Sequence, residues 1–148
     1  MSLVESHWKD LQCRYEDGLY FPSDEFIELC GSPQTGYRAD LRAPVSGLVH
    51  AFREGWTQLE TRCSTEGGHF KILAGATAWE GAGFIAALHQ DTGRLVWLLL
   101  LSNSEPFTEV TCDGFTIHAV SEEYSFRCRW QIPIESPEEL VVAQTRVH

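Results

Sequence analysis

Apolar and polar positions change period near Phe70. Upstream, apolar residues recur at helical spacing. Leu3, Val4, His7, Trp8 and Leu11 share one helical face, and Ser2 with Glu5 stands in capping-box register, which predicts a helix over Leu3–Cys13. Asp17-Gly18 reads as a turn and Leu19–Phe21 as a short strand. Ser23 is placed to cap a helix through Leu29, with Gly31 ending it and a loop over Gly31–Gly36. Leu48, Val49, Phe52, Trp56 and Leu59 predict a further helix over Ser46–Glu60, although Gly47 and Gly55 each weaken it by about 1 kcal/mol relative to Ala.

Downstream the period becomes two. Phe70–Trp79, Phe84–His89 and Arg94–Leu101 read as strands. The separators Glu80–Gly83 and Gln90–Gly93 are short and contain glycine, as hairpins require. Leu95–Leu101 is apolar throughout, which places it centrally with both faces covered. Glu109–Cys112 and Phe115–Val120 follow, joined by Asp113-Gly114. Then Tyr124, Phe126, Cys128, Trp130, Ile132 and Ile134 alternate with polar residues, the signature of a half-buried antiparallel strand ending near Pro133. Ser136-Pro137-Glu138-Glu139 is a helix start, predicting a terminal helix through Gln144. Helices first and strands second give an α+β fold: a meander-like antiparallel sheet of about five to seven strands against a few helices, in one domain over 1–148.

The composition narrows the function. A chain of 148 residues with 17 aromatic side chains is long enough to bury a core. No stretch reaches the roughly 18 apolar residues of a membrane span. Met1–Glu5 has neither the basic nor the apolar region of a secretory leader. Cys13, Cys30, Cys63, Cys112 and Cys128 are odd in number and lack a C-x-x-C pair, so they read as reduced thiols in a cytoplasmic protein.

The 21 acids outnumber the 11 basic residues, for a formal charge of −10. Two windows without Lys or Arg account for it. Glu16, Asp17, Asp24, Glu25 and Glu28 lie between Arg14 and Arg38. Glu105, Glu109, Asp113, Glu122 and Glu123 lie between Arg94 and Arg127. If these windows meet in space they form a negative rim that steers a basic partner and repels nucleic acid. Scattered acids would instead serve only solubility.

Catalytic signals are sparse. There is no H-E-x-x-H, no zinc-spaced Cys pair, no G-x-S-x-G and no phosphate-binding glycine loop. Cys112 and His118 would meet if their strands pair, Cys63 or Cys128 would join them, and His89 lies at a hairpin end. These three, Cys112, His118 and His89, are the weak catalytic candidates. Cys128 on its apolar face reads as a core thiol, and Trp97 and Trp130 as core aromatics. No metal and no cofactor is expected.

The leading expectation is therefore a non-enzymatic interaction protein, of the inhibitor or immunity type, that binds a basic protein and neither nucleic acid nor a membrane. One alternative is a small-molecule binder or hydrolase with an aromatic-lined pocket between the sheet and the Ser46–Glu60 helix. The other is a homodimeric subunit joined through an apolar sheet face or the Pro133 edge.

Overall fold

The structure, a computed structural model, describes residues 1–48 and 55–147. It corrects the expected fold class. Among the described residues one α-helix forms, α1 (Leu3–Trp8), and twelve strands build two antiparallel sheets, so the protein is all-β rather than α+β.

The first sheet has eight strands. In chain order they are β1 (Gln12–Arg14), β2 (Gly18–Tyr20), β3 (Glu25–Ser32), β4 (Gly36–Pro44), β5 (Trp56–Gly67), β6 (Phe70–Thr77), β7 (Gly83–His89) and β8 (Leu95–Leu101). Their spatial order is β1-β5-β6-β7-β8-β2-β3-β4. The second sheet is a four-stranded meander of β9 (Phe107–Cys112), β10 (Thr116–Glu123), β11 (Phe126–Pro133) and β12 (Val141–Arg146).

Three expected helices are strands or turns. Over Ser23–Leu29 the chain makes a turn and then β3. Phe26 points to one face while Ile27 and Leu29 point to the other, with a bulge between them. That double-sided burial removes the alternation of a strand and mimics helical spacing. Of the Ser46–Glu60 helix, residues 49–54 lie outside the described residues. Val45–Gly47 is a single 3-10 turn, and Trp56 onward is β5. A bulge between Thr61 and Cys63 turns Leu59 toward one core and Cys63 toward the other. At the C-terminus, the Ser136-Pro137 start signal yields only a 3-10 turn, Pro137–Glu139, before β12 pairs with β11.

Two cores result. One lies between the sheets, with Trp97, Leu99, Leu101, Ile72, Ile85 and Leu19 facing Phe107, Ile117, Cys128, Trp130 and Ile132. The other covers the opposite face of the large sheet. There Phe84, Ala86, Leu98, Leu100, Tyr20 and Phe26 meet Val4, Val45 and the partly buried Trp8, Leu48 and Trp56. The unbroken apolar run of β8 follows from this, since its alternate residues serve both cores. Each fully buried leucine contributes about 1.5–3 kcal/mol. Trp97 and Trp130 satisfy their buried N–H groups on the Ile134 carbonyl and Ser121 Oγ, both at 2.9 Å. Pro133 closes β11 beyond the reach of β12. No helix among the described residues is long and apolar enough to cross a membrane.

Because every pairing is antiparallel, the connections fall at two ends. One end collects the β1–β2, β3–β4, β6–β7, β8–β9 and β10–β11 connections. The other collects β2–β3, β5–β6, β7–β8, β9–β10 and β11–β12, together with the start of α1.

Candidate functional site

The expected catalytic residues stay apart. Cys112 pairs with Ile117 across β9 and β10, while His118 pairs with Thr111. Paired residues share a face and successive residues alternate, so Cys112 and His118 stand on opposite faces of the small sheet. His89 ends β7 in the other sheet and rests beside the Phe70 ring, with centroids 6.1 Å apart. Cys63 donates to the Ala74 and Phe107 carbonyls at 3.8 Å, and burial followed by the Glu109 charge raises its thiol pKa. Cys128 is fully buried. Among the described residues no hydrogen bond joins any two of Cys112, His118 and His89. The helix that would have walled the alternative pocket is replaced over Trp56–Glu60 by β5.

The acids divide between the two ends. Asp24, Glu25 and Asp113 fall at the end where α1 starts. Asp24 holds the Leu3 and Val4 N–H groups at 2.9 and 2.8 Å, so it caps α1. Asp113 accepts from the Phe115 and Thr116 N–H groups, which lowers its pKa and fixes the β9–β10 turn. Glu25 lies 3.7 Å from Arg42.

The remaining seven lie at or toward the opposite end, and there the two sequence windows meet. The β1–β2 connection is pinned by the buried Tyr20 hydroxyl, which donates to the Glu16 carbonyl at 2.6 Å. That places Asp17 so that its Oδ1 accepts from the Ser102 N–H at 2.7 Å. The loop after β8 continues through Asn103, whose side chain donates to the Gly31 carbonyl at 2.6 Å and accepts from the Tyr37 hydroxyl at 2.7 Å. One residue beyond Ser104, the Glu105 N–H donates to Glu123 at 3.0 Å. Asp17 and Glu123, 106 positions apart in the chain, thus flank one loop. Burial pushes the Tyr37 hydroxyl well up, and the charges of Asp17 and Glu123 add to that rise. Glu123 is itself only 6% exposed. Burial raises its pKa, the Glu105 N–H opposes that rise, and the Glu105 charge reinforces it.

Glu28 sits across from Gly18 on β3, and Glu109 lies on the solvent face of β9 opposite Val120. Two of the group carry guanidinium partners: Glu16 with Arg14 at 3.2 Å and Glu122 with Arg127 at 3.1 Å. Two exposed aromatics project from the same end, Trp79 at 89% and Tyr124 at 99% exposure. Trp79 was visible beside Glu80-Gly81 as a large apolar residue at a turn. Tyr124 was hidden by the alternating pattern, which counted it with the apolar face of β11.

Glu28, Cys30 and Asp40 bring three donor atoms within 4.8 Å of one another. The Cys30 thiol donates to both carboxylates, at 3.5 and 3.6 Å, and partial desolvation together with those charges raises its pKa. The trio could offer a cation three ligands, short of the four of a closed structural zinc site. Beside it, Cys30, Gly31, Thr35, Gly36, Tyr37 and Arg38 line a surface groove of about 370 Å³. Compared with protein-family models, with curated proteins and with solved structures, the chain matches none.

Proposed function

We propose that the protein is a small acidic interaction module, cytoplasmic and non-enzymatic, that binds and neutralises a basic protein in the manner of an inhibitor or immunity protein. The observation that carries this reading is the junction at Ser102–Glu105, where Asp17 from one acidic window and Glu123 from the other flank a single loop. Carboxylates gathered at one end of a rigid sandwich focus a negative potential, which speeds encounter with a cationic surface and repels nucleic acid. All five cysteines are free thiols, in keeping with a reducing compartment.

The test is capture from native extract on the immobilised protein at low and high salt, compared with a Glu28→Lys, Glu105→Lys, Glu122→Lys variant. These side chains are exposed or half-exposed, so the exchange leaves both cores intact. A basic protein held by the wild type at low salt, released at high salt and ignored by the variant is expected, with an association rate that falls as salt screens the field. Equal capture by wild type and variant, or a bound metabolite with no protein, would overturn the reading.

A further inference from the structure

Of the five tryptophans, Trp97 and Trp130 are buried and hydrogen-bonded, Trp8 packs against the outer core, and Trp56 stacks on His7 with ring centroids 3.5 Å apart. Trp79 does none of this; its ring stands in solvent at the tip of the β6–β7 connection. Tyr124 is a comparable exception. It occupies the β10–β11 turn at φ +55, a conformation that suits Gly or Asn and strains a bulky side chain. Its ring is 99% exposed, so the strain gains no packing within the monomer.

Hydrogen bonds tie these two turns to the same loop. The Gly83 N–H donates to the Ser104 carbonyl at 3.1 Å, and the Glu105 N–H donates to Glu123, the residue before Tyr124. Acids lie on the same connections as the two exposed rings: Glu80 follows Trp79 in the chain, and the exposed Glu105 is tied through its N–H to the residue before Tyr124. Glu80 uses one oxygen on Thr57 Oγ1 at 3.0 Å. Among the described residues, the Glu105 carboxylate has no partner.

The molecule contains the completed version of this arrangement. Arg14 lies over the Trp56 ring, 5.5 Å from its centroid, while Glu16 accepts from its guanidinium at 3.2 and 3.3 Å. A planar cation is held by a ring on one side and a carboxylate on the other. The β6–β7 and β10–β11 connections offer the same two side-chain types, an exposed ring with an acid on the same connection or on the adjoining loop, and among the described residues neither Trp79 nor Tyr124 has a guanidinium over its ring.

We infer that this end docks an arginine-bearing loop of the partner protein, with guanidinium groups seated on Trp79 and Tyr124 and paired to Glu80 and Glu105. The inference rests on the acidic-module reading above and adds what that reading lacks, a preference for arginine over lysine. A guanidinium stacks on a ring and pairs in plane with a carboxylate, whereas an ammonium acts as a hydrated point charge. The acids bring the partner in; the rings retain it.

The experiment uses the full chain and two labelled peptides of identical length, one built of arginine, glycine and serine, the other with lysine at each arginine. Affinity is read by fluorescence anisotropy at low and raised salt. The arginine peptide is expected to bind more tightly than the lysine peptide. Trp79→Ala and Tyr124→Asn should each weaken the arginine peptide by about two- to fivefold and narrow that preference, and the double variant should erase it. Glu80→Gln with Glu105→Gln should weaken both peptides and leave the part of the preference that stacking on the rings supplies. Asn tolerates the left-handed backbone, so an unchanged or raised urea midpoint for Tyr124→Asn separates lost binding from lost folding. Binding that depends on the acids but not on the rings, or that treats both peptides alike, overturns this inference and leaves the acidic-module reading standing. Failure of both peptides to bind even at low salt overturns both.

Discussion

Asp24 lies in the first acidic window, yet its surroundings assign it to the fold, and a three-variant series tests that assignment. Its backbone sits at φ +66, in the left-handed region. Its two carboxylate oxygens take the first free N–H groups of α1, those of Leu3 and Val4, at 2.9 and 2.8 Å. Ser2 Oγ takes the Glu5 N–H at 3.1 Å, so the opening turn of this helix has its donors satisfied. Losing a capping oxygen costs about 1 kcal/mol. Removing a negative charge from a helix start adds about 0.3–1 kcal/mol. An alanine forced into the left-handed region adds about 1–2 kcal/mol more. Asp24→Ala is therefore expected to destabilise the protein by about 2–4 kcal/mol, and Asp24→Gly, which lacks the conformational penalty, by about 1–2 kcal/mol. Asp24→Asn keeps one acceptor and the backbone preference, and should lose about 1 kcal/mol or less. For a chain of this size each kcal/mol moves the melting temperature by about 2–4 °C, so thermal and urea unfolding resolve the series. If the Ala and Gly variants melt together, backbone strain contributes nothing at this position. If all three stay within about 0.5 kcal/mol of the wild type, α1 does not depend on Asp24.

Two further perturbations address other parts of the structure. Because burial holds the Glu123 carboxyl above its unfolded value of 4.5, the folded state binds that proton more tightly than the unfolded state. Stability due to this group therefore falls as pH rises from the unfolded value through the raised folded one. Glu123→Gln should consequently gain on the wild type across that window in urea midpoints, and a difference that stays flat with pH would contradict the assignment. At Gly75 an added Cβ would stand 2.1 Å from the Glu60 carbonyl oxygen and 2.8 Å from the Arg62 nitrogen, both backbone atoms at the β5 bulge. Gly75→Ala is thus expected to destabilise by about 3 kcal/mol or more, and a urea midpoint equal to the wild type would show that β5 can shift away.

The part of the fold visible in the sequence is the part where local and tertiary demands agree. Strands β6 to β11 are legible because glycine turns bound short apolar runs and because β11 has one wet face, which gives it strict alternation. The first third misleads for a physical reason. Strands β3 and β5 carry bulges and feed two cores, so Phe26, Ile27 and Leu29, or Trp56 and Leu59, fall at intervals of one, two and three that imitate a helix. The Ser136-Pro137-Glu138 signal describes a real turn, but Val141 and Val142 follow it, and pairing with Trp130 and Gln131 outweighs local helix preference. For the site, the acidic windows were legible as composition. Their division between two ends was not, because it depends on which strand ends lie together. The exposure of Tyr124 was concealed because a turn residue at positive φ interrupts an otherwise perfect alternation.

The register also decides which acids carry uncompensated charge at the end where the two acidic windows meet. A carboxylate bound to a guanidinium is neutral at a distance, so Glu16 with Arg14 and Glu122 with Arg127 contribute little beyond their own contacts. A carboxylate held by a backbone N–H keeps its charge, and the hydrogen bond fixes where that charge sits. Asp17 on the Ser102 N–H is such a group, and its negative charge is oriented before any partner arrives. Glu28, Asp40 and Glu105 add charge without an arginine partner among the described residues, and Arg38, on β4 opposite Cys30, is a nearby opposing cation. On the proposed function, long-range attraction rests on Asp17, Glu28, Asp40, Glu105 and Glu109, while Glu16 and Glu122 serve local order. Removing Glu16 or Glu122 would change the net charge by one, as at an unpaired carboxylate, but would leave an uncompensated guanidinium in the patch, so on the proposed function it slows association even though the intact pair adds little to the field.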